Sequence, residues 1–198
     1  MARPPALVPE PVPTPMNLWL RLLAVVLAAL RAPRLHPIAE ASRLSFRVMP
    51  HDLDVSLHMN NGRYWTLMDL GRVDLMIRTG LWTAIRRHGW VPIVSAGKIR
   101  FRRELRLWRR FRLETRIVAW SEAWVVIEHR VVTRGRDGAE ILSAIALVRA
   151  GLYDRRAKAF VPVPRLFAEV GVPETASPAM TPEVAAFIAA EDALRAAG

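Results

Sequence analysis

The side chains of this chain best suited to chemistry are concentrated in residues 51–64, His-Asp-Leu-Asp-Val-Ser-Leu-His-Met-Asn-Asn-Gly-Arg-Tyr. Asp52, Asp54, His51, His58, Ser56, Asn60, Asn61 and Tyr64 all fall within it. The window closes on Asn60-Asn61-Gly62, a good helix start, because asparagine caps the free amides of a first turn. Those amides and the aligned peptide dipoles favour negative charge. A carboxylate ahead of such a helix end combines two needs of acyl transfer. It can attack a carbonyl or deprotonate water, and the amides can hold the oxyanion that develops.

Several other chemistries find no support. The chain has no cysteine, so disulfides, thiolate nucleophiles and cysteine zinc sites are excluded. Its five histidines (His36, His51, His58, His88 and His129) show no metal-ligand spacing, and no metal or cofactor is expected. Neither a Gly-x-Ser-x-Gly elbow nor a glycine-rich phosphate loop occurs. The formal net charge of +11 is carried almost entirely by arginine, Lys98 and Lys158 being the two lysines. Such a charge suits nucleic acid, an anionic membrane or a polyanionic substrate, and equally the codon bias of a GC-rich genome. The arginines are dispersed and no nucleic-acid-reading motif accompanies them, so nucleic acid is not an expected partner.

The elements that must position the cluster follow from periodicity. With 198 residues, 52% of them hydrophobic, the chain has enough for one domain with a real core. Residues 1–16 carry Pro4, Pro5, Pro9, Pro11, Pro13 and Pro15 and read as a disordered tail. Residues 17–35 read as a hydrophobic to amphipathic helix, too short for an ordinary span, which needs about 20 apolar residues. Asn17, Arg21, Ala24, Ala28 and Arg31 share one narrow face of it. That helix could lie in a membrane interface with its arginines at the headgroups, or pack on its own domain or a second copy.

The folded domain is expected over 42–165, with a C-terminal extension and helix over 166–198. Leu44, Phe46 and Val48 alternate as in a half-buried strand. Residues 62–79 read as a long helix with an apolar face of Tyr64, Leu67, Met68, Leu70, Gly71, Leu75 and Met76. Asp69 with Arg72, and Asp74 with Arg78, are spaced as exposed helix pairs. Four strand runs follow, over 93–105, 110–120, 123–133 and 141–152, with a hairpin turn at 134–138. The tail from Pro162 reads as proline-rich loop and a last helix over 182–197. One helix wrapped by a curled meander of consecutive antiparallel strands is an α+β arrangement that leaves an apolar groove.

With those residues in hand, the chain resembles the hot-dog fold acyl-CoA thioesterases, the 4-hydroxybenzoyl-CoA thioesterase-like family. Asp52-Leu-Asp54, His58-Met-Asn60-Asn61 and Arg63-Tyr64 are similar to its opening motif, and residues 98–103, 111–116 and 123–130 are similar further on. The resemblance covers residues 44–152, in a branch that carries an N-terminal hydrophobic lead. It implies a hot-dog fold, at least dimeric, that hydrolyses acyl-CoA or a related acyl thioester. It also implies Asp54 as nucleophile or general base, with His58 and Asn60 positioning water or the carbonyl. The amides near Asn60, Asn61 and Gly62 would hold the oxyanion, Tyr64 would shape the groove, and Arg100 and Arg102 are candidates for the CoA phosphates. Ser56 departs from the Asp-x-Asn-x-His of the plant-type relatives, since serine is shorter and has no amide. His58 and Asn60 could instead bond loop backbone and cap the helix, Asp52 reads as a turn-former, and Asp69 as an ion-pair or helix-face residue. A cytoplasmic protein, peripheral to membrane through residues 17–35, is expected. The competing reading is a non-catalytic, membrane-associated protein that binds acyl chains or lipid in the same groove.

Overall fold

The computed structural model describes residues 18–173 and 175–197, so the proline-rich segment 1–16 and Asn17 lie outside the described residues. Helix α1 (Leu18–Arg31) opens the described chain. Strand β1 (Ser42–Arg47) and a single 3-10 turn (Pro50–Asp52) lead through a loop to helix α2 (Asn61–Thr79). Asn60 caps α2 through its side-chain oxygen, which accepts the Gly62 N–H at 2.8 Å. Gly80, in the left-handed region at φ 87°, ends α2 and starts helix α3 (Leu81–His88).

Strands β2 (Trp90–Phe101), β3 (Arg110–Trp120), β4 (Val125–Arg134) and β5 (Glu140–Asp154) follow. Strand β6 (Ala159–Phe160), helix α4 (Val163–Glu169) and helix α5 (Pro182–Ala197) complete the order. Helix α4 occupies part of the stretch expected as proline-rich loop. Pro164 stands in its first turn, where a missing N–H costs nothing, so the proline that suggested loop is compatible with a helix start.

The sheet order is β1-β3-β4-β5-β2, with every pair antiparallel and β6 added to β5. This corrects the expected meander of consecutive strands. Strands β3, β4 and β5 do form a meander, but β2 pairs with β5 at the far edge. The segment between β2 and β3 must therefore cross the end of the sheet. That crossover lies against the loop before α2: the Met59 N–H donates to the Leu105 carbonyl at 2.8 Å, and His58 forms a bridge with Arg106.

Helix α2 lies in the curl of the sheet. Tyr64, Leu67, Met68 and Leu70 pack with Leu44, Phe46, Leu113, Val131 and Ala146 in the main core, which also takes Val25 of α1. The approach to β3 is closest at Gly71, where any Cβ would run into the Thr115 hydroxyl and meet Leu113 Cδ2 at 3.0 Å. Only a glycine permits this spacing. On the other face of the sheet, Val126 and Leu147 pack with Val184 and Phe187 of α5. The expected apolar groove is present as a cavity of about 110 Å³ between the second half of α2 and the sheet. Leu75, Met76, Ile93, Ile127, Leu166 and Phe167 line it, so it lies away from the N-terminal end of α2.

Asp74 corrects a second expectation. It is buried rather than exposed, accepting a 2.6 Å hydrogen bond from the Ser42 hydroxyl, with Arg78 at 3.6 Å. Burial pushes its carboxyl pKa up, and the Ser42 bond and Arg78 oppose that. The i, i+4 spacing is the same on any face of a helix, which is why it could not report burial.

Candidate active site

The loop 51–60 carries two aspartates with opposite surroundings. Asp52 is not a simple turn-former. Both its oxygens are taken by the Arg21 guanidinium of α1, at 2.9 and 2.7 Å, with side-chain exposures of 3% for Arg21 and 1% for Asp52. Its Oδ2 also accepts the Met49 N–H at 2.9 Å, and its carbonyl accepts the Asn60 N–H at 2.8 Å. The bidentate pair therefore ties α1, the end of β1 and the start of α2 together. His51, next to it, has its pKa lowered by burial first and by Arg21 and Arg63, against the pull of Asp52.

Asp54 keeps 23% of its side chain in solvent. Its Oδ1 accepts the Ser56 N–H at 2.9 Å, and its Oδ2 lies 3.3 Å from His58 Nδ1. The backbone closes a tight turn here. The Asp54 N–H donates to the His58 carbonyl at 2.9 Å, and Leu57 sits in the left-handed region at φ 58°. Asp54 and His58 thus lie side by side, and at position 56 the backbone, not the side chain, contacts the carboxylate. Of the three amides expected at the helix start, two are occupied: Asn60 N–H by the Asp52 carbonyl, and Gly62 N–H by the Asn60 cap. Among the described residues, nothing accepts from the Asn61 N–H.

The remaining candidates are less central. Tyr64 is buried in the core against Phe101, edge to face at 5.0 Å between ring centroids, and burial pushes its phenol up to about 12. Arg100 and Arg102 lie exposed at the end of β2 and just beyond it. Three other arginines gather nearer the loop, in the crossover: Arg103, Arg106 and Arg109. No local signal marks them as a group, because it is the pairing of β2 with β5 that makes the segment carrying them a crossover.

A second polar group that sequence reasoning passed over sits beneath the middle of α2. His129 of β4 is fully buried, with Nδ1 at 3.0 Å from the Thr115 hydroxyl and Nε2 at 3.1 Å from Arg72 Nη1. Arg72 also pairs with Asp69, as its spacing predicted. An arginine can only donate, so Nε2 is the acceptor and Nδ1 carries the proton toward Thr115. Burial, and then Arg72, hold the imidazole pKa well below 6.5, so it is neutral.

Residues 48–186 match the model of the thioesterase-like superfamily. The chain belongs to that superfamily. Protein THEM6 of Xenopus laevis is 34% identical over 136 residues, 68% of this chain and 64% of that protein. Protein THEM6 of Danio rerio is 42% identical over 103 residues, 52% and 50% of the two chains. The match spans less than two thirds of either relative. Among solved structures, a mutant 4-hydroxybenzoyl CoA thioesterase complexed with 4-hydroxybenzoyl CoA superposes with a TM-score of 0.61. It is 17% identical, over 67% of this chain and 99% of that one. The fold of this superfamily member is therefore the hot-dog fold, with α2 as its central helix.

Proposed function

We propose that this superfamily member hydrolyses an acyl thioester, with acyl-CoA as the substrate class and Asp54 as the acting carboxylate. The observation that carries this reading is a partly exposed Asp54 in the loop that leads into α2, a helix whose Asn61 N–H has no acceptor among the described residues. As general base, Asp54 takes a proton from water while the oxygen adds to the thioester carbonyl. Asn61 N–H and the positive end of α2 stabilise the oxyanion. Collapse breaks the C–S bond, and the thiolate leaves and takes up a proton. As nucleophile, Asp54 would instead form a mixed anhydride that water then cleaves. Label found in the protein carboxylate after a single turnover in ¹⁸O-water identifies the anhydride route, with water attacking the aspartyl carbonyl.

The test is thiol release from a panel of acyl-CoAs of graded length, with Asp54→Asn and Asp54→Ala alongside. A fall in kcat on the order of 10²–10⁴ is expected for both variants. Full activity in Asp54→Ala would overturn the assignment. Binding of acyl-CoA or fatty acid with no thiol release by the wild type would favour the non-catalytic reading.

Two assembly statements accompany the reading. Strand β2 is a 12-residue sheet edge with Val94 and Phe101 exposed, and an open edge of that length suits pairing with a second copy. Homodimerisation through β2 is read by analytical ultracentrifugation of the wild type against Val94→Lys. None of the described helices is long and apolar enough to cross a membrane. Arg21 does not reach outward, yet α1 turns Leu20, Leu23, Leu27 and Leu30 to solvent while burying Arg21, Val25 and Ala29. That outward face supports peripheral binding to a lipid surface. Liposome flotation of the wild type against a variant with these four leucines changed to glutamine tests it, and equal flotation would refute it.

A further inference from the structure

The crossover between β2 and β3 forms the wall of an open cavity of about 490 Å³, within the range of small-ligand sites. Its lining includes Arg103, Arg106, Arg109 and Trp108, together with Thr133 and Ser143. The cavity begins beside the candidate site, because Arg106 forms the bridge with His58. It runs from there to the end of the β4–β5 hairpin, where Arg109 Nη2 donates to the Arg134 carbonyl. Arg106 shares its charge with Glu104 at 2.6 Å. A guanidinium has five donors, so neither contact exhausts Arg106 or Arg109.

Trp108 is the decisive feature. It is 52% exposed, and its backbone is in the left-handed region at φ 63°. A bulky residue there is an outlier that costs energy and persists only where the surroundings impose it. Here Val48, the residue just after β1, imposes it: Trp108 N–H donates to the Val48 carbonyl at 2.9 Å, and Val48 N–H to the Arg109 carbonyl at 3.0 Å. The result is an indole fixed beside three arginines, partly open to solvent. An aromatic face next to clustered guanidinium groups matches a ligand with a purine base and phosphates.

We infer that this cavity is the dock for the nucleotide handle of the substrate, with Trp108 stacking on adenine and Arg103, Arg106 and Arg109 meeting the phosphates. The inference rests on the thioesterase reading and deepens it, moving phosphate recognition from Arg100 and Arg102 to the crossover. The extended pantetheine arm separates the nucleotide from the thioester, and the wall of the cavity meets the candidate site at the Arg106–His58 bridge.

Two measurements test it. The first compares kcat/KM for an acyl-CoA with kcat/KM for the matching acyl-pantetheine, which lacks the nucleotide. In Trp108→Gly, chosen because glycine accepts the left-handed backbone, that ratio falls about tenfold or more, the scale of losing one base stack. It falls again in Arg106→Ala. An unchanged ratio would overturn the dock, as would an equal loss on both substrates. The second is titration with 3′-phosphoadenosine 5′-phosphate alone, without turnover. Weakening by about tenfold in Trp108→Gly supports the dock even if no thioester is cleaved, which would count against the thioesterase reading only. Equal affinity in wild type and variant overturns the dock even if hydrolysis proceeds.

Discussion

At the N-terminal end of α2, Asp54 and His58 keep 23% and 33% of their side chains in solvent, 3.3 Å apart. Beneath the middle of the same helix, Arg72 and His129 stand 3.1 Å apart with the histidine fully buried. Both places pair a histidine with a charged neighbour, and they differ in access. The buried histidine has each ring nitrogen committed, to Arg72 and to Thr115, so it can neither take a proton cheaply nor meet a solute. The loop pair is held by backbone turns and remains open. Polar residues at mid-helix thus hold α2 on the sheet, whereas those at its start are free to act. The contrast repeats within the loop, where Asp52 is locked by Arg21 and Asp54 is not.

The largest effect should come from breaking the locked side of that contrast. Asp52→Ala leaves the Arg21 guanidinium buried without its carboxylate, and a cost of about 3–5 kcal/mol in unfolding free energy is expected. Asp54→Ala removes a partly exposed group and should cost less than about 1 kcal/mol. Urea melts of the two variants check the difference, and equal losses would erase the distinction between the aspartates. The double variant Arg21→Met with Asp52→Leu should recover most of the loss, because replacing both members of a buried pair by apolar groups is often neutral.

Gly71→Ala comes next. The added methyl would collide with the Thr115 hydroxyl, the group that also holds His129, so helix and strand must separate. Overpacking of this kind costs about 1–3 kcal/mol, which exceeds the gain in helix propensity from removing a glycine. The combination Gly71→Ala with Thr115→Ala should restore part of the loss, since the colliding oxygen is then absent. A melt showing Gly71→Ala as stable as the wild type would mean that α2 is not pressed onto β3 there.

Much of this arrangement was legible in the residues. The 3.6-residue pattern marked α2 and α5, period two marked the strands, and Asn60-Asn61-Gly62 marked the helix start. What escaped was set by tertiary pairing. The Arg21–Asp52 pair joins residues 31 apart, and Arg21 on an apolar helix reads as an interfacial arginine until Asp52 is found opposite it. The pairing of β2 with β5 has no local signature, and the arginines of the crossover become a cluster only because of it. His129 carries no motif either, since a histidine in a strand looks the same whether its neighbours are solvent or Arg72.

The buried end also makes a pH prediction. His129 is held neutral, its folded pKa lying well below the ordinary 6.5 by burial and then by Arg72. The unfolded chain therefore binds a proton that the folded chain refuses. Stability from this group is complete above about pH 6.5 and is lost as pH falls below it. One such group sets a slope of at most about 1.4 kcal/mol per pH unit. His51, also lowered, adds in the same direction. Denaturant midpoints between pH 7 and 5 should fall in the wild type and fall less steeply in His129→Gln. Identical slopes in the two proteins would show that His129 is not kept neutral by the fold.

The smallest effect concerns Ser56, the position at which this chain departs from the related motif. Asp54 Oδ1 accepts from the Ser56 backbone N–H, and the serine side chain is exposed. Every residue except proline keeps that N–H, so Ser56→Asn and Ser56→Ala should both preserve the turn that orients Asp54. Each should change kcat/KM by no more than about twofold, the scale of an exposed substitution of about 0.5 kcal/mol. Ser56→Pro removes the donor itself, and should lower activity well beyond that range while leaving the core melt close to that of the wild type. A large gain from Ser56→Asn would instead mean that an amide side chain at this position contacts the substrate, and that backbone orientation of Asp54 is only part of what the open end of α2 needs.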